Sequence, residues 1–242
     1  METYAATVAA LRALNQQAID AAAVHCCLKK SYHGKTTGAL QLTASKRYRE
    51  PFQANGGPRA IFVDRSDTSD FAEQIKSHRL QFYSLKTGGA GEGAKTFELQ
   101  LEVTDITNVA ALFVEPVQGE GGIHIIGTEF LAEVRRLCTA AGVHLVFDEI
   151  QSGMGRTGTF LAAERSGVQP DYILLSKSLG GGIAKVSSAS VRADLYVEDF
   201  SVLHTSTFAE DDLSSTVALR ALELLEEQPE IMQDCAHKGF AI

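Results

Sequence analysis

Three apolar segments, each ending abruptly in polar residues and glycine, constrain this chain more than any other feature. They are ALFVEPV (111–117) before QGEGG (118–122), VHLVFDEI (143–150) before QSGMGRTG (151–158), and DYILLSK (171–177) before SLGGG (178–182). Each reads as a strand running into a tight loop. Between the first two, EFLAEVRRLCTAAG (129–142) carries apolar residues at 130, 131, 134, 137 and 138, a helical stripe closed by Gly142. FLAAERSG (160–167) reads as a short helix before the third strand. Strands that are apolar almost throughout, alternating with helices, predict an α/β fold: a mainly parallel sheet between helices.

The remainder is less patterned. Residues 4–23 are Ala-rich with helical spacing, 23–28 form a short apolar strand, and 31–39 a loop, with an ambiguous helical stretch at 39–46. Gly56-Gly57-Pro58 reads as a turn, 61–64 as a strand and 71–78 as a short helix. GGAGEGA (88–94) lacks the Lys-Ser/Thr that would make it a P-loop and is taken as a flexible loop. Residues 189–191 suggest one more strand, and 212–227 an amphipathic helix opening on an acidic residue. No repeat or linker divides the chain, so residues 1–242 are taken as one α/β domain.

Composition excludes several classes. Hydrophobic residues make up 45% of the 242, enough for a packed core. The formal charge is −8, from 22 basic and 30 acidic residues, with no basic stripe, which argues against nucleic-acid binding. Cys26, Cys27, Cys138 and Cys235 form no CxxC pair, so buried free thiols are expected rather than a metal site or disulfides. No apolar run reaches the roughly 20 residues of a membrane helix, and no secretory signal is evident, which leaves a cytoplasmic protein as the expectation.

Ligands of open α/β sheets bind beyond the carboxyl ends of the strands, and the polar residues collect there. Glu115, Gln118 and Glu120 follow the first strand, Asp148, Glu149 and Gln151 the second, and Ser176 and Lys177 the third. A lysine at a strand end beside glycines is partly desolvated, which makes its amine nucleophilic; it also fits an exposed lysine starting a turn. A carboxylate at Asp148 needs a partner, since an unpaired buried charge is costly. That partner could be a cofactor's ring N–H, a helix N-terminus or Arg156.

FDEIQSGMGRTG and LLSKSLGGG, with Lys177 following Asp148 by 29 residues, resemble the class III aminotransferases that use pyridoxal phosphate (PLP). SYHGKT, FVEPVQGEGG and HTSTFAEDDL match further segments of that family in the same order, over residues 31–212. The resemblance implies the fold type I large domain of PLP-dependent transferases. It implies that Lys177 carries the cofactor as a Schiff base, Asp148 pairs with its ring nitrogen, and Gln151 lies near its phenolic oxygen. Tyr32 would stack on the ring with His33 beside it, Thr207 would reach the phosphate in a neighbouring subunit, and Glu120 would face the substrate. Amino-group transfer from an amino acid or ω-amine donor to a keto acid or aldehyde, in a homodimer, is the function implied; an aminomutase is similar to it.

The resemblance covers the cofactor-binding part. The family's glycine-bearing phosphate turn before SYHG and its small C-terminal domain have no match, and Ala209-Glu210-Asp211-Asp212 replaces the usual Gly-Asn-Pro. The alternative expectation is therefore a non-catalytic homologue that serves as a binding or assembly subunit.

Overall fold

The apolar runs become the middle of a sheet. The computed structural model describes residues 2–52, 57–88, 98–204 and 206–240. In chain order the elements are α1 (Glu2–Asp20), β1 (Val24–Leu28), α2 (Thr37–Leu42), α3 (Lys46–Arg49), β2 (Arg59–Val63), α4 (Thr68–Ser77), β3 (Arg79–Gly88), β4 (Glu98–Thr107) and β5 (Val109–Val114). They continue with β6 (Val117–Gln118), β7 (His124–Ile125), α5 (Thr128–Ala141), β8 (His144–Asp148), β9 (Tyr172–Leu175), β10 (Ser188–Val191), α6 (Asp199–Leu203), α7 (Asp212–Glu227) and α8 (Glu230–Phe240).

Six strands pair in the order β10-β9-β8-β5-β1-β2. All neighbours are parallel except β10, which closes the edge antiparallel to β9. The mainly parallel α/β sheet expected from the strand pattern is thus present. Leu28, Leu112, Val114, Leu145 and Phe147 of the strands pack with Phe71 of α4 and with Phe130, Leu131, Val134 and Cys138 of α5. Gly142 ends α5 at φ 69°, the left-handed cap that glycine adopts without a Cβ penalty. A second, smaller cluster joins Met154, Leu175 and Leu179 to Ala218 of α7.

Several expectations shift. The 160–167 segment is a 3-10 turn, Ala162–Ser166, rather than an α-helix. The ambiguous 39–46 stretch resolves into α2 and α3, and α7 is capped by Asp211, whose side chain accepts the Ser214 N–H at 2.9 Å. Residues 79–87 and 98–107, read without assignment, belong to the long antiparallel strands β3 and β4, outside the main sheet. The Asn15 amide of α1 caps the edge of β3, donating to the Tyr83 carbonyl at 2.8 Å and accepting the Tyr83 N–H at 2.9 Å. Of the turn at 56–58 only Gly57 and Pro58 are described; of the loop at 88–94 only Gly88 is, as the last residue of β3. Cys26, Cys27 and Cys138 are buried free thiols as expected, but Cys235 is exposed on α8. Among the described residues no helix is long and apolar enough to cross a membrane.

Two buried carboxylates show how partners decide the electrostatics. Asp171 accepts from Arg135 and Arg192, each at 2.8 Å, and from the Leu145 N–H at 2.8 Å, tying α5, β8 and the β10 end together. Glu115, just past β5, has one such partner, the Tyr32 N–H at 2.9 Å. Desolvation therefore wins, over the opposing pull of His33 and that N–H, and pushes its carboxyl up to about 7.

These differences predict opposite mutational behaviour. Asp171→Asn breaks the pair with Arg135 and leaves Arg192 to Asp194, and chemical denaturation should show a loss of ~3 kcal/mol, the low end for a broken buried pair because both arginines reach solvent. Glu115 has a folded value above its ordinary 4.5, so the native state holds the extra proton and stability falls as pH rises from about 4.5 to about 7. Glu115→Gln should flatten that slope, removing up to about 3 kcal/mol of pH dependence. Melting curves across this window, parallel for parent and variant, would refute it.

Candidate active site

The carboxyl ends of β1, β5, β8 and β9 share one rim, because parallel neighbours in register finish together: Val114 pairs with Phe147, and Asp148 with Leu174. Asp148 is the last residue of β8 and only 5% exposed. Its Oδ2 lies 2.8 Å from His33 Nδ1, and its Oδ1 accepts the Ile150 N–H at 3.1 Å. An ionised carboxylate only accepts, so Nδ1 is the protonated nitrogen in this pair. The His33 side chain is 2% exposed, and its Nε2 has no hydrogen-bond partner. Thr43 fixes this loop: its hydroxyl accepts the His33 N–H at 3.0 Å and donates to the Gly34 carbonyl at 3.0 Å.

Tyr32, beside it, is half-buried. Glu115 holds its N–H, and its ring meets Tyr48 edge-on at 5.9 Å. Tyr32, Tyr48 and Glu120 line an open cavity of about 410 Å³, together with Lys30 and Arg47. Glu120 is exposed in the turn between β6 and β7. Gln151 crosses to the same turn: a Cβ on Gly119 would stand 1.9 Å from Gln151 Oε1, so a side chain there would displace the Gln151 amide.

Lys177 opens a 3-10 turn, Lys177–Gly180, and adopts φ 47°, a left-handed backbone rare for a side chain of this kind. Lys30 after β1 (φ 67°) and Met154 after β8 (φ 60°) are also left-handed. Such strain costs of order 1–3 kcal/mol per residue and gathers at functional sites. Three of the five such residues described lie past the carboxyl ends of these strands; the others are Ile123 and Glu210. Lys177 is exposed, and partial desolvation followed by the charge of Arg156 lowers its ammonium below the ordinary lysine value, against the pull of Asp148, Glu120 and Glu115. Arg156 does not reach Asp148; it donates to Ser178 Oγ at 2.9 Å.

The rim thus brings together Lys177, Asp148, His33 and Tyr32, with Gln151 and Glu120 beside them. Thr207 stands apart, exposed in the turn at 206–210. One contact escaped the sequence reading. The His33–Asp148 contact joins residues 115 positions apart, a separation no local pattern encodes. Glu149 proves to be an internal tie, accepting the N–H groups of Ala162 and Ala163 at 3.2 and 2.8 Å and the Ser152 hydroxyl.

The family model for class-III aminotransferases matches residues 4–242. An acetylornithine aminotransferase of Methanosarcina acetivorans is 33% identical over 198 residues, 82% of this chain and 42% of that protein. The ornithine aminotransferase of Toxoplasma gondii, whose solved structure carries PLP at partial occupancy in its active site, superposes with a TM-score of 0.68 at 30% identity, over 96% of this chain and 47% of its own. A transaminase from the marine bacterium Virgibacillus shares the fold with a TM-score of 0.66 at 21% identity, over 95% of this chain and 48% of its own. The chain spans less than half the length of these relatives. Its sheet is that of the fold type I PLP-dependent transferases, and the chain belongs to the class III aminotransferase family, whose cofactor is pyridoxal phosphate.

Proposed function

We propose that residues 1–242 are the cofactor-binding large domain of a PLP-dependent aminotransferase that moves an amino group from an amino acid or ω-amine donor to a keto acid or aldehyde. The observation that carries this reading is the buried Asp148–His33 pair at the rim that also holds Lys177. The residues fit the cofactor. Asp148 keeps acceptor capacity beyond its two donors, as a ring N–H requires. The Lys177 ammonium donates to no carboxylate among the described residues and is shifted toward its neutral form.

PLP, when bound, supplies an electron sink for the bond that breaks at the donor carbon. The chain's own residues prepare that chemistry. His33 donates its Nδ1 N–H to Asp148 Oδ2, orienting the carboxylate so that its remaining acceptor sites can meet the ring N–H. Lys177 would be the covalent attachment point, and its Nζ, once free, would move the proton on the donor carbon. Tyr32 would cover the ring face, Gln151 would lie near the ring oxygen, and Glu120 would face the substrate.

We place the protein in a homodimer. Phe200, Val202, Leu203, Phe208 and Leu213 are exposed on either side of Thr207, an apolar stretch that a second copy would cover while Thr207 reaches the neighbour's phosphate. Buried free thiols at Cys26, Cys27 and Cys138 fit a reducing compartment such as the cytoplasm.

Borohydride reduction after incubation with PLP, followed by peptide mapping, should place the reduced cofactor on Lys177; label on another lysine, or on none, refutes the assignment. Asp148→Asn should retain the label but slow the half-reaction with an amine donor roughly 10²–10³-fold, with undiminished turnover counting against the role given to that carboxylate. Light scattering should return twice the chain mass, and a monomer that still binds PLP tightly would remove the dimer.

A further inference from the structure

Arg156 is the one charged residue of the loop QSGMGRTG. It is exposed, yet it turns toward the lysine's side of the rim and donates from Nη2 to Ser178 Oγ at 2.9 Å. A neutral hydroxyl leaves the guanidinium with its full charge. Its place is fixed from below. Met154, two residues before Arg156, and Leu179, two residues after Lys177, pack in the same small cluster with Leu175 and Ala218. Gly155 between Met154 and Arg156 adopts φ 82°, and a Cβ there would stand 2.8 Å from Met232 Cγ of α8. The loop is wedged between α8 and the turn of Lys177.

The charged groups acting on Lys177 come from four places: Arg156 from this loop, Asp148 from the end of β8, Glu120 from the β6–β7 turn and Glu115 from past β5. The three carboxylates stabilise the ammonium. An amine attacks a carbonyl only through its free lone pair, so the ammonium is the inactive form. Arg156 is the cation that opposes them.

We propose that Arg156 is the positioning residue of Lys177: its bond to Ser178 pins the turn that carries the lysine, and its charge favours the free amine against three neighbouring carboxylates. The lowering of the Lys177 ammonium, with Arg156 second only to desolvation among its causes, agrees with this role. The inference rests on Lys177 being the reactive amine of the proposed function, but its test needs no cofactor.

The experiment is trace acetylation of the whole chain with acetic anhydride over a pH series, with each lysine read by mass spectrometry. In the parent, Lys177 should reach its labelling plateau at lower pH than the exposed Lys46. Arg156→Gln keeps the length and loses the charge; at about pH 8 its Lys177 should label roughly threefold more slowly, equal to a midpoint about half a pH unit higher. Arg156→Lys restores a cation and should recover most of that rate. A merely structural arginine would leave the midpoint in place. An unchanged profile in Arg156→Gln, or an Arg156→Lys profile that coincides with it, overturns the proposal. Cofactor mapping to a different lysine would instead sink the proposed function, while the labelling profile still reports what Arg156 does to Lys177.

Discussion

A carboxylate at the end of a strand buried on both faces must be answered by donors, and the rim is arranged around the answer given to Asp148. His33 supplies one, from the loop after β1, and the Ile150 N–H supplies the other. β1 and β8 are not neighbours; β5 lies between them. The contact therefore fixes the loop that carries Tyr32 relative to the strand that carries Asp148, across a third strand. Thr43 locks the His33 backbone, and Glu115 at the end of that intervening strand holds Tyr32 by its N–H. One charge that burial makes costly thus orders the aromatic, the imidazole and two further loops.

The same geometry concentrates strain. Lys30, Met154 and Lys177 all take left-handed backbones past the ends of parallel strands, where the chain has to reverse sharply over the rim. Glycine would relieve each, yet the sequence places glycine elsewhere: at Gly119 against Gln151, at Gly155 against α8, and at Gly121, whose Cβ would stand 2.7 Å from the Lys30 carbonyl. Side chains are kept at these left-handed positions, while glycine stands where a Cβ would crowd a neighbour, at Gly155 with a left-handed φ of 82° besides. Strain that is kept at a lysine needs something to over-determine it. The small core of Met154, Leu175, Leu179 and Ala218 does so for Lys177.

Much of this was legible in the residues alone. The strands at 111–117, 143–150 and 171–177 are apolar until their ends, and that pattern carried the sheet, its parallel sense and the position of the rim. The stripe at 130, 131, 134, 137 and 138 carried α5. The paired strands β3 and β4 had their signal as well, since ELQLEVTDI alternates with period two, but the alternation lies beside a glycine-rich run and was not paired with LQFYSL. The partners of the site were not legible, for a physical reason. Asp148 offered a ring N–H, a helix N-terminus or Arg156 as equally sound partners, and only the path of the chain through space gives it to His33 and sends Arg156 to Ser178.

That division of partners has a chemical consequence. Had Arg156 paired with Asp148, the guanidinium would neutralise the one carboxylate whose charge the ring nitrogen needs, and Lys177 would lose the cation that, among the described residues, opposes its protonation. The imidazole beside Asp148 orients the carboxylate through its Nδ1 N–H, and the arginine, given a hydroxyl instead, keeps its charge. The two opposite demands of the proposed chemistry, a ring nitrogen that stays protonated and a lysine that does not, are thereby separated along the rim. Glu115 keeps the separation from being undone: with burial holding its carboxyl at about 7, it does not present a full second negative charge beside Asp148 at neutral pH. A rim that carried Asp148, Glu115 and Glu120 all ionised, without Arg156, would hold Lys177 as an ammonium and its nucleophile in the inactive form.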